Sequence, residues 1–201
     1  MRTAWLAGIL LLGCCPWSAA PAQTITSCDW EVAHPSDPNH LGPGVASGNV
    51  DTPRAIAACR EAVASEPENP RFHYQLARAL VYHADRHGGS DTEGMKHLAI
   101  AAEKNYTQAM FVYGLMLGRH GETCAIEPWT RKAAEQGLKA ARIAYVNQYL
   151  SGTWAECDIT TSAAVMNDYL DQASAQVSGY YENMLVDALR RELSTAGSQK
   201  E

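Results

Sequence analysis

From residue 51 onward, apolar residues recur at helical spacing in one segment after another. Three runs are clearest: Phe72 to Leu80, Ala109 to Leu117 and Ala141 to Leu150. Around the first, Leu76, Ala77 and Leu80 share one helix face, and Arg71, Tyr74, Arg78 and Tyr82 share the opposite one. Thr52 reads as an N-cap with Pro53 at the first helical position, opening a helix that runs to Ser65. Further helices are predicted over 70–84, 91–104, 107–118, 126–137, 139–151, 161–175 and 178–194. Pro67 and Pro70 stop one helix and start the next, and Gly88, Gly121 and Gly152 mark turns. The expected fold class is all-α, with a helical domain over 51–194 and a polar, frayed tail over 195–201.

The pattern fails before residue 51. Residues 23–50 carry Pro35, Pro38, Gly42, Pro43 and Gly44, and predict an irregular arm. Residues 1–22 form a third kind of segment. Arg2 precedes an apolar run from Ala4 to Gly13, and Ala20-Pro21-Ala22 places small residues where a signal peptidase cuts. The run is about half of the ~20 residues a membrane-spanning helix needs, so it reads as an export signal and no transmembrane segment is expected. Leu11-Leu12-Gly13-Cys14 also resembles a bacterial lipobox, which leaves a lipid anchor at Cys14 as a second reading of the same segment.

The helical segments repeat. Ala101-Ala102-Glu103-Lys104-Asn105 returns as Ala133-Ala134-Glu135-Gln136-Gly137, and each stands just before a Tyr-containing helix. Cys124 and Cys157 fall at equivalent places after two of these helices. Arg131-Lys132-Ala133-Ala134-Glu135-Gln136-Gly137, then Ala140 and a helix ending Leu150-Ser151-Gly152, resembles the Sel1-like repeat. Glu61-Ala62-Val63, Pro67-Glu68-Asn69-Pro70 and Leu76-Ala77-Arg78-Ala79-Leu80 together resemble a tetratricopeptide junction. This similarity spans residues 52–190 and implies a superhelical array of helical hairpins (Sel1/TPR-like). In such arrays the first helix of each hairpin lines a concave, partner-gripping surface. The resemblance therefore puts Arg71, Tyr74, Arg78 and Tyr82 on that surface, followed by Gln108, Phe111, Leu115 and Arg119, and then Asn147. If Cys28 were bridged to Cys59, the arm would be tied onto the first helix and would cover the open end of the array.

Composition narrows the function classes. Alanine supplies 32 of 201 residues, which suits close helix packing. The formal charge is −6, and removing residues 1–22, which contain Arg2 as their sole charged residue, takes it to −7. That balance argues against nucleic-acid binding, which needs clustered Lys and Arg. Four cysteines remain after the signal: Cys28, Cys59, Cys124 and Cys157. An even number in an exported chain points to two disulfides. Three pairings are open, and Cys28–Cys59 with Cys124–Cys157 keeps each bridge in its own half of the chain. No C-x-x-C spacing or neighbouring His suggests a metal. His83 and His87 stand at i, i+4 but close to a helix end, and His73 sits on the core side of its helix. No nucleophile elbow, metalloprotease or phosphate-loop motif occurs, so no catalytic residue and no cofactor are expected.

The expected protein is a non-enzymatic scaffold, periplasmic or secreted, that binds an envelope protein or peptide as an adaptor or regulator. Two other readings stay open: an enzyme or accessory domain of cell-envelope turnover, and a self-associating scaffold or one whose groove its own arm fills.

Overall fold

The computed structural model describes residues 24–198. The expected signal segment, Cys14 and the end of the tail lie outside these residues. Among the described residues every regular element is helical. The order is α1 (Ser27–Val32), α2 (Thr52–Ser65), α3 (Pro70–His87), α4 (Thr92–Glu103), α5 (Thr107–Arg119), α6 (Ile126–Glu135), α7 (Lys139–Leu150), α8 (Ala163–Ser174) and α9 (Tyr180–Ser198).

Local chemistry sets the helix starts. Asp51, not Thr52, caps α2: its carboxylate accepts the Arg54 N–H at 3.2 Å. Thr52 is buried instead, with its hydroxyl 3.0 Å from His83 Nδ1. Asn69 accepts the Arg71 N–H at 3.1 Å, and Pro70 then opens α3 with φ already set. Ser162 caps α8 through the Val165 N–H.

Two boundaries differ from expectation. The arm is not wholly irregular, because it contains α1. Thr26 and Asp29 close the first turn of α1 on each other, the Asp29 carboxylate accepting both the Thr26 N–H at 2.8 Å and its hydroxyl at 2.9 Å. The tail, expected to fray from 195, is helical to Ser198. The hydroxyls of Ser194 and Thr195 donate to the carbonyls of Arg191 and Glu192, so these polar residues bond locally without leaving the helix.

From α2 to α9 each helix packs against its neighbours in the chain; α1 lies on α2 and α3, and α9 also reaches α7. Glycines allow the closest approaches. A Cβ at Gly94 of α4 would stand 2.9 Å from Val81 and 3.3 Å from the Ala77 carbonyl of α3. A Cβ at Gly114 of α5 would meet the Ile126 carbonyl of α6 at 3.1 Å. The interior has two parts. A small one joins the arm to α2 and α3 through Cys28, Val32, Val50, Cys59, Phe72 and Leu76. A larger one runs from Tyr74 and Val81 through Leu98, Met110, Tyr145 and Leu170 to Leu193.

Both expected disulfides are present. Cys28 bridges to Cys59 with Cα atoms 4.6 Å apart, and Cys124 to Cys157 at 5.5 Å. The first is fully buried and fastens α1 to α2, while the second joins the turns that follow α5 and α7 near the surface. No helix among the described residues is long and apolar enough to cross a membrane.

Candidate functional site

The arm lies along α3, and α3 holds it by its main chain. Arg78 does most of this. Its guanidinium donates to the carbonyls of Val32 at 2.6 Å, Ala33 at 3.1 Å and Val45 at 2.8 Å. The same group lies 5.0 Å from the Tyr82 ring centroid. Two turns further on, Arg86 donates to the carbonyls of Val50, at 2.6 Å, and Ser47. Near the start of the helix, Arg71 donates to the Thr24 carbonyl at 3.2 Å and pairs with Asp29 at 3.1 Å. The arm is rich in Pro and Gly, and besides Val32, Val45 and Val50 it offers its carbonyls. Planar guanidinium groups match several carbonyls at once.

Carboxylates complete the contact. Asp29 also accepts a hydrogen bond from the Gln75 amide at 2.8 Å, and all three of Asp29, Gln75 and Arg71 are buried. Asp37, in the arm, accepts the Tyr106 hydroxyl at 2.6 Å and the Asn39 N–H at 2.9 Å. Burial raises the Asp37 carboxyl above the ordinary carboxylate range, and the Tyr106 hydrogen bond opposes that rise. Burial also raises the Tyr74 and Tyr106 phenols, with the Asp37 charge adding to both, so both stay neutral and Tyr106 donates to Asp37.

Beside the arm the same surface stays open. A cleft of about 190 Å³ is floored by Ala77 and Val81 of α3, Leu98 of α4, and Val112 and Met116 of α5. His34 of the arm, Tyr74, Arg78 and Tyr82 form one wall, and Asp85 with Arg119 closes the rim through an ion pair at 2.6 Å. The pair is half exposed, so it contributes little to stability and can exchange partners. Burial first, and then the Arg78 charge, hold the His34 imidazole down at about 4. Its Nδ1 accepts the Ser36 N–H at 3.0 Å. At neutral pH the wall therefore carries an uncharged His34 and an Arg78 already filled with carbonyls. The cleft is apolar with one exchangeable charge pair at its edge.

A larger hollow of about 380 Å³ lies at the other end of α3, between Asn39, His40, Asn69 and Asn105. It is more polar than the cleft, and Asn69 there is spent on capping α3 and on Glu66.

The predicted face is thus divided. Tyr74, Arg78, Tyr82 and Arg119 meet at the cleft. Arg71 is buried under the arm, and Gln108 is buried beside the Tyr74 hydroxyl. Phe111 is half-buried against the main core, Leu115 is exposed, and Asn147 is exposed on α7 away from the cleft lining. Whether this aromatic–arginine face is open or covered by the arm, left open by the sequence, is answered over α3, where the arm lies on it. Sequence reasoning missed His34, Asp85 and the apolar floor. Val81, Val112 and Met116 belong to an apolar pattern that reads as core; Val81 and Met116 are buried and Val112 is half-buried, and all three line the cleft. His83 and His87 stack at 4.6 Å, and no group of three metal-ligating side chains occurs among the described residues. Comparison with protein-family models, curated proteins and solved structures yields no match to this chain.

Proposed function

We propose that the protein is an exported, non-enzymatic helical scaffold that binds an extended peptide segment of another envelope or secreted protein. One apolar side chain of that segment enters the cleft between α3, α4 and α5. The observation that carries this reading is that α3 already holds another stretch of chain, its own arm, through main-chain carbonyls at the end of α1 and at Val45, and leaves an apolar cleft open beside it. Main-chain recognition with a side-chain pocket alongside is a recurring way to grip a peptide.

Other features support the setting. Two disulfides fit an oxidising compartment outside the cytosol. The resemblance to Sel1-like and tetratricopeptide repeats and the N-terminal signal pattern agree with an exported repeat protein, periplasmic or secreted. Binding is favoured over catalysis because the cleft's ionisable groups are engaged with one another or with backbone, which leaves no free nucleophile and base together at the site.

The test is selection of displayed random peptides on the oxidised protein. Enriched sequences should share a Leu, Ile or Met anchor. Their binding should weaken at least about tenfold in Val112→Trp, which fills the cleft, equivalent to about 1.4 kcal/mol. Asn147→Ala should leave it unchanged. Absence of enrichment, or binding indifferent to Val112→Trp, defeats the reading.

A further inference from the structure

A buried imidazole pair lies behind the cleft. His73 of α3 is 5% exposed and engages both ring nitrogens: Nε2 is 2.8 Å from the Pro67 carbonyl, and Nδ1 is 2.8 Å from His97 Nδ1 of α4. The rings stack with centroids 5.1 Å apart.

Hydrogen accounting fixes the tautomers. A carbonyl only accepts, so His73 Nε2 carries the hydrogen. Neutral His73 then offers a lone pair at Nδ1, and the hydrogen in the second bond belongs to His97 Nδ1. His97 Nε2 is left as the lone pair of the couple that can take a proton. One added proton goes there and leaves both hydrogen bonds intact. A second could enter only at His73 Nδ1, where two cationic rings would point N–H groups at each other across the same 2.8 Å.

We infer that His73 and His97 form a proton-limited latch, closed with zero or one added proton and opened by the second, which clips the α2–α3 turn to α4. The charged groups around it come from each packed element: Arg60 of α2, Glu68 of the turn, and Glu93 and Lys104 at α4 and its end. Glu93 is paired with Arg60, and Glu68 with Lys104, so each carboxylate already faces a cation, in exposed pairs that can exchange. Burial and the neighbouring His73 lower His97 below the usual imidazole range, and Glu93 opposes them. Tyr74 and Leu98, the residues next to the pair in sequence, both line the cleft. Opening the latch would therefore move the cleft floor; that consequence rests on the peptide reading, and the latch does not.

Imidazole ¹⁵N NMR of the oxidised protein tests it. At neutral pH, His73 should appear as the Nε2–H tautomer and His97 as the Nδ1–H tautomer. On acidification a single imidazolium charge should appear on the pair, and amide protection at the α3–α4 contact should be lost only when a second proton enters. His97→Gln, at the less buried partner, keeps a donor for His73 and should shift that loss of protection to lower pH. An Nε2–H His97 at neutral pH, two imidazolium rings in the folded protein, or an unshifted profile in His97→Gln would overturn the proposal. So would Zn²⁺ uptake by the wild type that His97→Gln abolishes, since it would make the pair a metal site. None of these readouts depends on peptide binding.

Discussion

The two parts of the interior are held together by different physics. Between the arm and α3 an apolar cluster of Val32, Val50, Phe72 and Leu76 is joined by a dense set of buried polar contacts, Asp29 with Arg71 and Gln75 and Arg78 with three carbonyls, and a fully buried disulfide ties the arm to α2. From α4 to α9 the interior is mainly apolar, with Leu98, Met110, Tyr145, Met166 and Leu170 along successive helices, and its buried polar contacts, Tyr145 to Glu127 and Arg142 to the Ala134 carbonyl, lie within α6 and α7. The arm adds directional bonds and a covalent link to the apolar contacts of Val32, Val45 and Val50. The helices supply an apolar stripe each and rely mainly on close packing. The lesson is that the arm is position-specific and intolerant of losing one partner, whereas the helix stack spreads its stability over many replaceable contacts.

The sharpest way to break this contrast is Arg78→Ala. It leaves three carbonyls short of a buried donor, so denaturant unfolding should show a loss of about 3–5 kcal/mol. Amide exchange should accelerate through residues 24–50 before it does in α6–α8. A loss below about 1 kcal/mol with the arm still protected would show that apolar contacts and the disulfide alone hold it.

Leu170→Ala probes the other region. It opens a cavity at a fully buried site in α8 and should cost about 3 kcal/mol. Exchange in the arm should stay as it was relative to global unfolding. If the arm loosens first instead, the two regions are one cooperative unit and the contrast fails.

The smallest expected effect is on pH. His34, in the arm, is held near 4 in the fold against an ordinary value of 6.5. Its folded value is depressed, so the unfolded chain takes up a proton first as pH falls. Stability should decline from about pH 6.5 toward pH 4, and His97 acts in the same direction. Asp37, whose value is raised, works against this decline at the acid end. His34→Gln should flatten the pH dependence of the denaturation midpoint relative to the wild type. An unchanged slope would place the acid sensitivity elsewhere.

Much of the fold was legible because its signals are local. Pro70 after Asn69 starts α3, Ser162 starts α8, and an even set of cysteines announced the two bridges. The exception is instructive. Thr26 and Asp29 carry a capping signature in plain sequence, and α1 was still missed, because six helical residues hold too little apolar periodicity to stand out from the Pro- and Gly-rich stretch around them. The candidate site was half legible. Tyr74, Arg78 and Tyr82 share a face by spacing, and Arg119, which only the resemblance set beside them, meets them at the cleft.

By itself, then, the sequence determined the helices from α2 onward to within a few residues, the turns between them and which side chains share a helix face. These follow from caps, breakers and a period of 3.6, all read within a few residues. What covers a face was decided only by tertiary structure. Arg78 looks the same in sequence whether it meets solvent, a partner or its own chain, because burial depends on a segment more than 30 residues away and on the path that segment takes. The arm takes the path over α3 because there, guanidinium groups and a buried Gln can satisfy carbonyls and a carboxylate that water would otherwise hold.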